Sequence, residues 1–236
     1  HGALDSARRI ARRNVDRGNF SYSMETPVDS VHTIKSRLTL RSFLGPRKYM
    51  ILRRASPLSH GSENPVHVID IFYYSSYDSI FRGIKAFGES LENFINDTVQ
   101  DVNGDGRMDF VANYKSTIWG LNFRYSIVTL FENDTTCLAG STSFPNPSFS
   151  PGEKVVRGVL AGKAGQTEIY KYRWNGFEVD TVEYVYHDPN VPGHFIRAPY
   201  LPMDKRNTVE VMEKLDAIPA EYRKLPDLNW FLGKER

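Results

Sequence analysis

From residue 31 to residue 187 the apolar positions fall in short β-prone runs, broken by clusters of Gly, Pro, Asn and Ser. Successive side chains of a strand point to opposite faces, so alternation rich in β-branched and aromatic residues predicts strands. Ile34, Leu38 and Leu40 alternate in part with polar neighbours, Tyr49–Leu52 follows a turn at Gly45 and Pro46, and Val66–Tyr74 is almost unbroken Val, Ile, Phe and Tyr. Trp119 to Phe131 alternates around Phe123, Tyr125, Ile127 and Thr129. Val155 to Leu160, Glu168 to Trp174 and Phe177 to Tyr186 add three further strands. The last two meet at Asn175 and Gly176, the dipeptide that suits the positive φ angles of a two-residue hairpin. Residues 78–98 satisfy two patterns. Phe81, Ile84, Phe87, Leu91 and Phe94 lie at helical spacing, whereas Gly83 and Gly88 weaken a helix.

The flanks differ in texture. Ala3, Ala7, Ile10, Ala11 and Val15 form a thin helical stripe that ends at Gly18. Residues 188–236 are rich in proline, with Thr208 placed to cap a helix bearing Val209, Met212 and Leu215. A short turn follows at 220–225, and Leu228, Trp230, Phe231 and Leu232 need somewhere to dock. The expected organisation is a basic N-terminal arm at 1–29, a β domain at 30–187 and a proline-rich helical extension at 188–236.

Composition narrows the field. Hydrophobic residues make up 40% and aromatics 13% of 236 residues, enough for a packed core. A formal net charge of +2 gives no strong field to recruit nucleic acid, and the arginines of the first 17 residues read as a solvated helix face. Cys137 is the sole cysteine, which excludes an internal disulfide and a cysteine zinc site. No apolar run is long enough to span a bilayer. The chain begins at His1, which predicts a mature form whose export signal was removed and leaves room for a lipid anchor.

The chemistry concentrates in residues 101–109. Asp101, Asn103, Asp105 and Asp109 occupy positions 1, 3, 5 and 9, and Gly106 occupies position 6. Alternate oxygen side chains at this spacing converge on a hard cation, and the position-7 carbonyl, that of Arg107, supplies a further ligand. Three carboxylates this close repel one another unless a cation lies between them. The expected ion is Ca2+. An EF-hand requires a bidentate Glu at position 12, where this chain has Ala112, and both flanks read as strands. A repeating propeller or a dockerin requires further copies of the loop, and the sequence has one.

With these features the chain resembles the periplasmic single-calcium-loop β proteins of FG-GAP/VCBS type. These are related to i-type lysozyme inhibitors and to immunity proteins against peptidoglycan-hydrolase toxins. The resemblance rests on Val99–Val111, on the Phe144–Phe149 turn and on Tyr170–Phe177 with the strand after it, in that order within residues 98–186. The chain departs from the family pattern at Gly104, where members carry a bulkier residue. The resemblance implies a mainly β fold, an antiparallel sandwich or propeller-like domain with one structural Ca2+. It also implies Asp101, Asn103, Asp105, the Arg107 carbonyl and Asp109 as ligands.

The function expected is that of an exported, non-enzymatic binding protein in the periplasm or on the cell surface. Its partner would be a larger surface complex or a peptidoglycan hydrolase. The competing reading is a glycan hydrolase using the acidic group Glu89, Glu92, Asp97 and Asp101. No nucleophile elbow, phosphate loop or His-Glu-x-x-His motif accompanies it, so no catalytic residue is assigned. His187 and His194, on a proline-rich loop, have no spacing that fixes a metal.

Overall fold

The structure, a computed structural model, describes residues 2–27, 33–56, 66–89, 93–116, 123–161, 167–201 and 212–234. Three antiparallel sheets make up most of it, each a meander in which sequence neighbours pair. The first contains β1 (Phe20–Pro27), β2 (Thr33–Arg41), β3 (Tyr49–Ser56), β4 (Val66–Ser75) and β5 (Ile80–Glu89). The second contains β6 (Asn93–Gln100), β7 (Asp109–Ser116), β8 (Phe123–Thr129) and β9 (Thr142–Pro145). The third contains β10 (Pro147–Ser150), β11 (Val155–Ala161), β12 (Thr167–Asn175), β13 (Glu178–His187), β14 (Phe195–Ala198) and β15 (Glu213–Leu215). Helix α1 (Gly2–Arg13) precedes them, and α2 (Leu228–Phe231) closes the described chain.

Strand alternation arranges these sheets in layers. Along β7, Phe110, Ala112 and Tyr114 pack with Ile51, Ile69 and Ile71 of the first sheet. Between them, Val111 turns the other way and packs with Val156, Tyr170 and Trp174 of the third. β8 repeats the division, Tyr125 and Ile127 to one side and Val128 to the other. The second sheet is therefore the middle layer, and both its faces are buried.

The outer faces are covered by the flanks of the chain. Ala7 and Ala11 of α1 pack on Leu38, Leu40, Met50, Leu52, Phe72 and Phe81. Small alanines bring the helix close to the strands, and its arginine-rich side remains outward. The N-terminal helix thus packs on the first sheet through its alanine stripe. At the opposite end, Ile218, Tyr222, Leu225 and Phe231 cover Val159, Ile169, Val185 and Phe195. Both flanks also contribute strands: β1 lies before residue 29, and β14 and β15 lie after residue 187.

One open reading is resolved and one expectation changes. Of the two patterns that residues 78–98 satisfy, the structure takes strands, β5 over 80–89 and β6 over 93–100. Phe81 and Ile84 sit three apart because they face opposite sides of a sheet buried on both faces. The helix read from Thr208 is not present over its C-terminal part: Glu213–Leu215 is strand β15, with Lys214 paired to Ile196. An available sheet edge outcompetes the weak helical pattern there. Thr208 and Val209 lie outside the described residues.

Buried polar groups cross the first layer boundary. The Asp97 carboxylate of β6, 5% exposed, accepts from Arg53 of β3 and pairs with Arg41 of β2 at 3.4 Å. Removing that charge leaves two guanidinium groups partly buried without a counter-ion. Asp97→Asn should therefore destabilise the chain by about 1–3 kcal/mol in urea unfolding, and an unchanged midpoint would show the pair to be dispensable.

Candidate metal centre

The acidic loop joins β6 to β7 at one end of the middle sheet, as the flanking strand patterns predicted. Hydrogen bonds from its own backbone shape it. Asp101 accepts from the Gly104 N–H on Oδ1 at 2.7 Å and from the Gly106 N–H on Oδ2 at 2.9 Å. Asn103 Oδ1 accepts from the Asp105 N–H, and Asp105 Oδ1 accepts from the Arg107 N–H at 2.8 Å. Asn103 Nδ2 and Asp105 Oδ2 lie 3.2 Å apart. These are the local side-chain-to-backbone bonds that Asp and Asn favour. They require the chain to turn tightly at Gly104 (φ +73) and Gly106 (φ +83).

Asp109 plays a different part. It is fully buried, and its carboxylate accepts from the Val102 N–H and the Phe131 N–H, each at 3.2 Å. One side chain thus ties the start of the loop to the chain just beyond β8. Burial pushes the Asp109 carboxyl up to about 7 against the pull of those two amides, and the charges of Asp105 and Asp101 push the same way.

The loop is also fixed from outside. Val102 is fully buried in the core shared by the middle and third sheets. The Arg107 guanidinium donates to the Glu132 carbonyl. Gly104 lies against the Pro151–Lys154 connection between β10 and β11, where an added Cβ would overlap the Pro151 carbonyl oxygen. This contact leaves no room for a side chain at position 104. The loop therefore sits at the seam of two sheets.

The predicted ligands are brought together unequally. Asp101, Asn103 and Asp105 share the turn, and Asp109 lies beneath it. Among the described residues no three His, Cys, Asp or Glu side chains converge as a metal-holding group. The donors are nonetheless hard oxygens of the kind calcium takes. An ionised carboxylate oxygen that accepts one amide can still accept a second partner. The rise at Asp109 is the electrostatic demand that a nearby cation would relieve. In donor chemistry the residues fit Ca2+.

Other sequence candidates separate. Asp97 is committed to Arg41 and Arg53, and Glu92 and the Glu89 side chain lie outside the described residues. His187 Nε2 lies 2.8 Å from the Phe231 carbonyl, while His194 pairs with Asp216 at 3.1 Å, so the two histidines form no common site. Sequence reasoning missed Val102 and Phe131. An apolar residue at position 2 of an otherwise polar loop was the one signal for Val102, and nothing local marked Phe131.

Scans against protein-family models, curated proteins and solved structures find no match to this chain.

The two loop glycines should respond differently to a methyl group. Gly106 has open space around it, so Gly106→Ala meets only the cost of positive φ, about 1 kcal/mol. Gly104→Ala adds the collision with Pro151 and should cost more than about 2 kcal/mol in urea unfolding. Equal losses would mean that the seam does not constrain the loop.

Proposed function

We propose that residues 101–109 hold one Ca2+ and that the chain is an exported, non-enzymatic binding domain of the bacterial cell envelope, stabilised by that ion. One observation supports this above the others: an oxygen-rich loop is anchored at the seam between two sheets by a buried Val102 and a buried Asp109. Asp101, Asn103, Asp105, the Arg107 carbonyl and Asp109 would be the ligands. The ion would supply positive charge that draws the carboxylates together and holds the β6–β7 turn against the third sheet.

Loops of this type in extracellular modules bind calcium at roughly 10⁻⁴–10⁻³ M, which suits a calcium-rich compartment outside the cytoplasm. Among the described residues no helix is long and apolar enough to cross a membrane. The hairpin tips carry exposed aromatics, Tyr77 between β4 and β5 and Phe177 between β12 and β13. Exposed aromatic groups on rigid turns suit recognition of another macromolecule. The partner is proposed to be an envelope protein, either a larger surface complex or a peptidoglycan hydrolase. Co-purification from native membranes in calcium, lost in chelator, is the expected result. Peptidoglycan turnover by the pure chain would overturn the non-enzymatic reading.

At about 10 mM free calcium, the affinity range above stabilises the fold by roughly 1.4–2.7 kcal/mol. For a chain of this size the melting temperature should rise by about 3–10 °C, and Asp105→Ala should remove the rise. An identical melting curve with and without calcium would end the metal assignment.

The shift should depend on pH. Asp109 has a folded-state value of about 7, above that of an unfolded carboxylate. Its proton-linked stability is complete below about pH 4 and is lost as pH rises through about 7. A cation replaces that proton, so calcium should raise the melting temperature more at pH 8 than at pH 5. Equal shifts at the two values would place the ion away from Asp109.

A further inference from the structure

A second site lies in the third sheet, away from the acidic loop. A cavity of about 490 Å3 opens at the end of β12, β13 and β14, lined by Glu168, Tyr186, Asp188, Ile196, Met212 and Lys214. Its size falls in the range that takes small molecules. Tyr186 and Ile196 belong to the sheet face that carries Tyr170 and Tyr184, and alternation from Tyr170 puts Glu168 on that face too.

Glu168 is the unusual member. The residue is 5% exposed and lines the cavity. Among the described residues its carboxylate has neither a hydrogen bond nor an ion pair. Burial alone raises its pKa, with no donor to offset it. Two other buried carboxylates are compensated: Asp97 by two arginines, Asp109 by two amides. A buried carboxylate without a partner is costly, and an apolar residue of similar volume would avoid that cost.

The surroundings show what would compensate it. Asp188, 6% exposed, adds a second carboxylate whose Oδ1 accepts only the local Asn190 N–H at 2.8 Å. The Tyr186 hydroxyl is raised by burial, then by Tyr200, Glu168 and Asp188, so both carboxylates act on the same point. Lys214 lines the mouth but is exposed, and makes no ion pair with Glu168. Two acidic side chains are too few for a calcium shell of six to eight oxygens, while Ile196 and Met212 offer apolar wall that a hydrated metal does not use.

We propose that this cavity binds a small organic ammonium ion, its charged head on Glu168 and its carbon body against Ile196, Met212 and the Tyr186 ring. The charge restores the missing counter-ion, the apolar walls take the body, and the tyrosine face adds attraction for the cation. The site does not depend on the calcium loop.

Phenethylamine, protonated at neutral pH, tests this against phenethyl alcohol, which has the same shape and no charge. Calorimetric titration into the full chain should show saturable amine binding in the millimolar range, with the alcohol at least roughly tenfold weaker. Glu168→Gln should weaken the amine by roughly tenfold or more, and its melting temperature should equal or exceed that of the parent. Equal binding of amine and alcohol, no heat from the amine, or unaltered amine binding in Glu168→Gln would each overturn the proposal. A Glu168→Gln chain that melts earlier or fails to fold would do so too, because the carboxylate would then have a structural partner.

Discussion

The structure depends on burying the middle sheet on both faces. Antiparallel sheets commonly leave one face to water, but here Phe110, Ala112 and Tyr114 meet the first sheet while Val111 and Val128 meet the third. Among the described residues no first-sheet side chain belongs to the clusters of the third sheet, nor the reverse, so the middle strands hold the stack together. Whatever fixes the ends of β6, β7 and β8 acts on the whole molecule. The acidic loop is at one of those ends, with Val102 inside one core and Asp109 bonded to Phe131, a member of the other.

A doubly buried sheet has little tolerance for polar groups, and several of those present are paired individually. Asp97 faces two arginines across a layer boundary. Asn113 joins Asn96 and Ser126 in a short polar ladder, with contacts of 2.7 and 2.6 Å. Asp109 is held by main-chain amides and stays hard to ionise because it is buried, with Asp105 and Asp101 adding to the effect. Low local dielectric makes such groups strong when paired and costly when not. Among the described residues Glu168 has no such partner, although it is 5% exposed.

The flanks complete the outer layers. Helix α1 covers the first sheet through alanines, and the C-terminal segment covers the third through Tyr222 and Phe231. The second cover is also held by charge: Glu221 pairs with Lys171 at 2.8 Å and with Arg157 at 3.3 Å, and the Tyr222 hydroxyl donates to Glu183. Without these covers Leu38, Met50, Ile169 and Val185 would face water.

The sequence by itself determined most of the strands, the hairpin at Asn175 and Gly176, the thin stripe of α1 and the nine-residue acidic loop between two strands. Each is a local pattern: period two, a turn dipeptide, or ligand-type residues in register with a glycine. Only the tertiary structure decided the assignments that depend on which faces meet. Phe81 and Ile84 mimic a helix because both faces of their sheet are buried, and that is visible only once α1 and the middle sheet are in place. Glu213–Leu215 is a strand because β14 offers an edge. Gly104 is required by Pro151, forty-seven positions further along the chain. Glu168 reads in sequence as an ordinary polar position on a strand, and its isolation follows from the packing around it. Short-range rules fix the elements, whereas layer order, burial and unmet charge arise from long-range contacts that no local window contains.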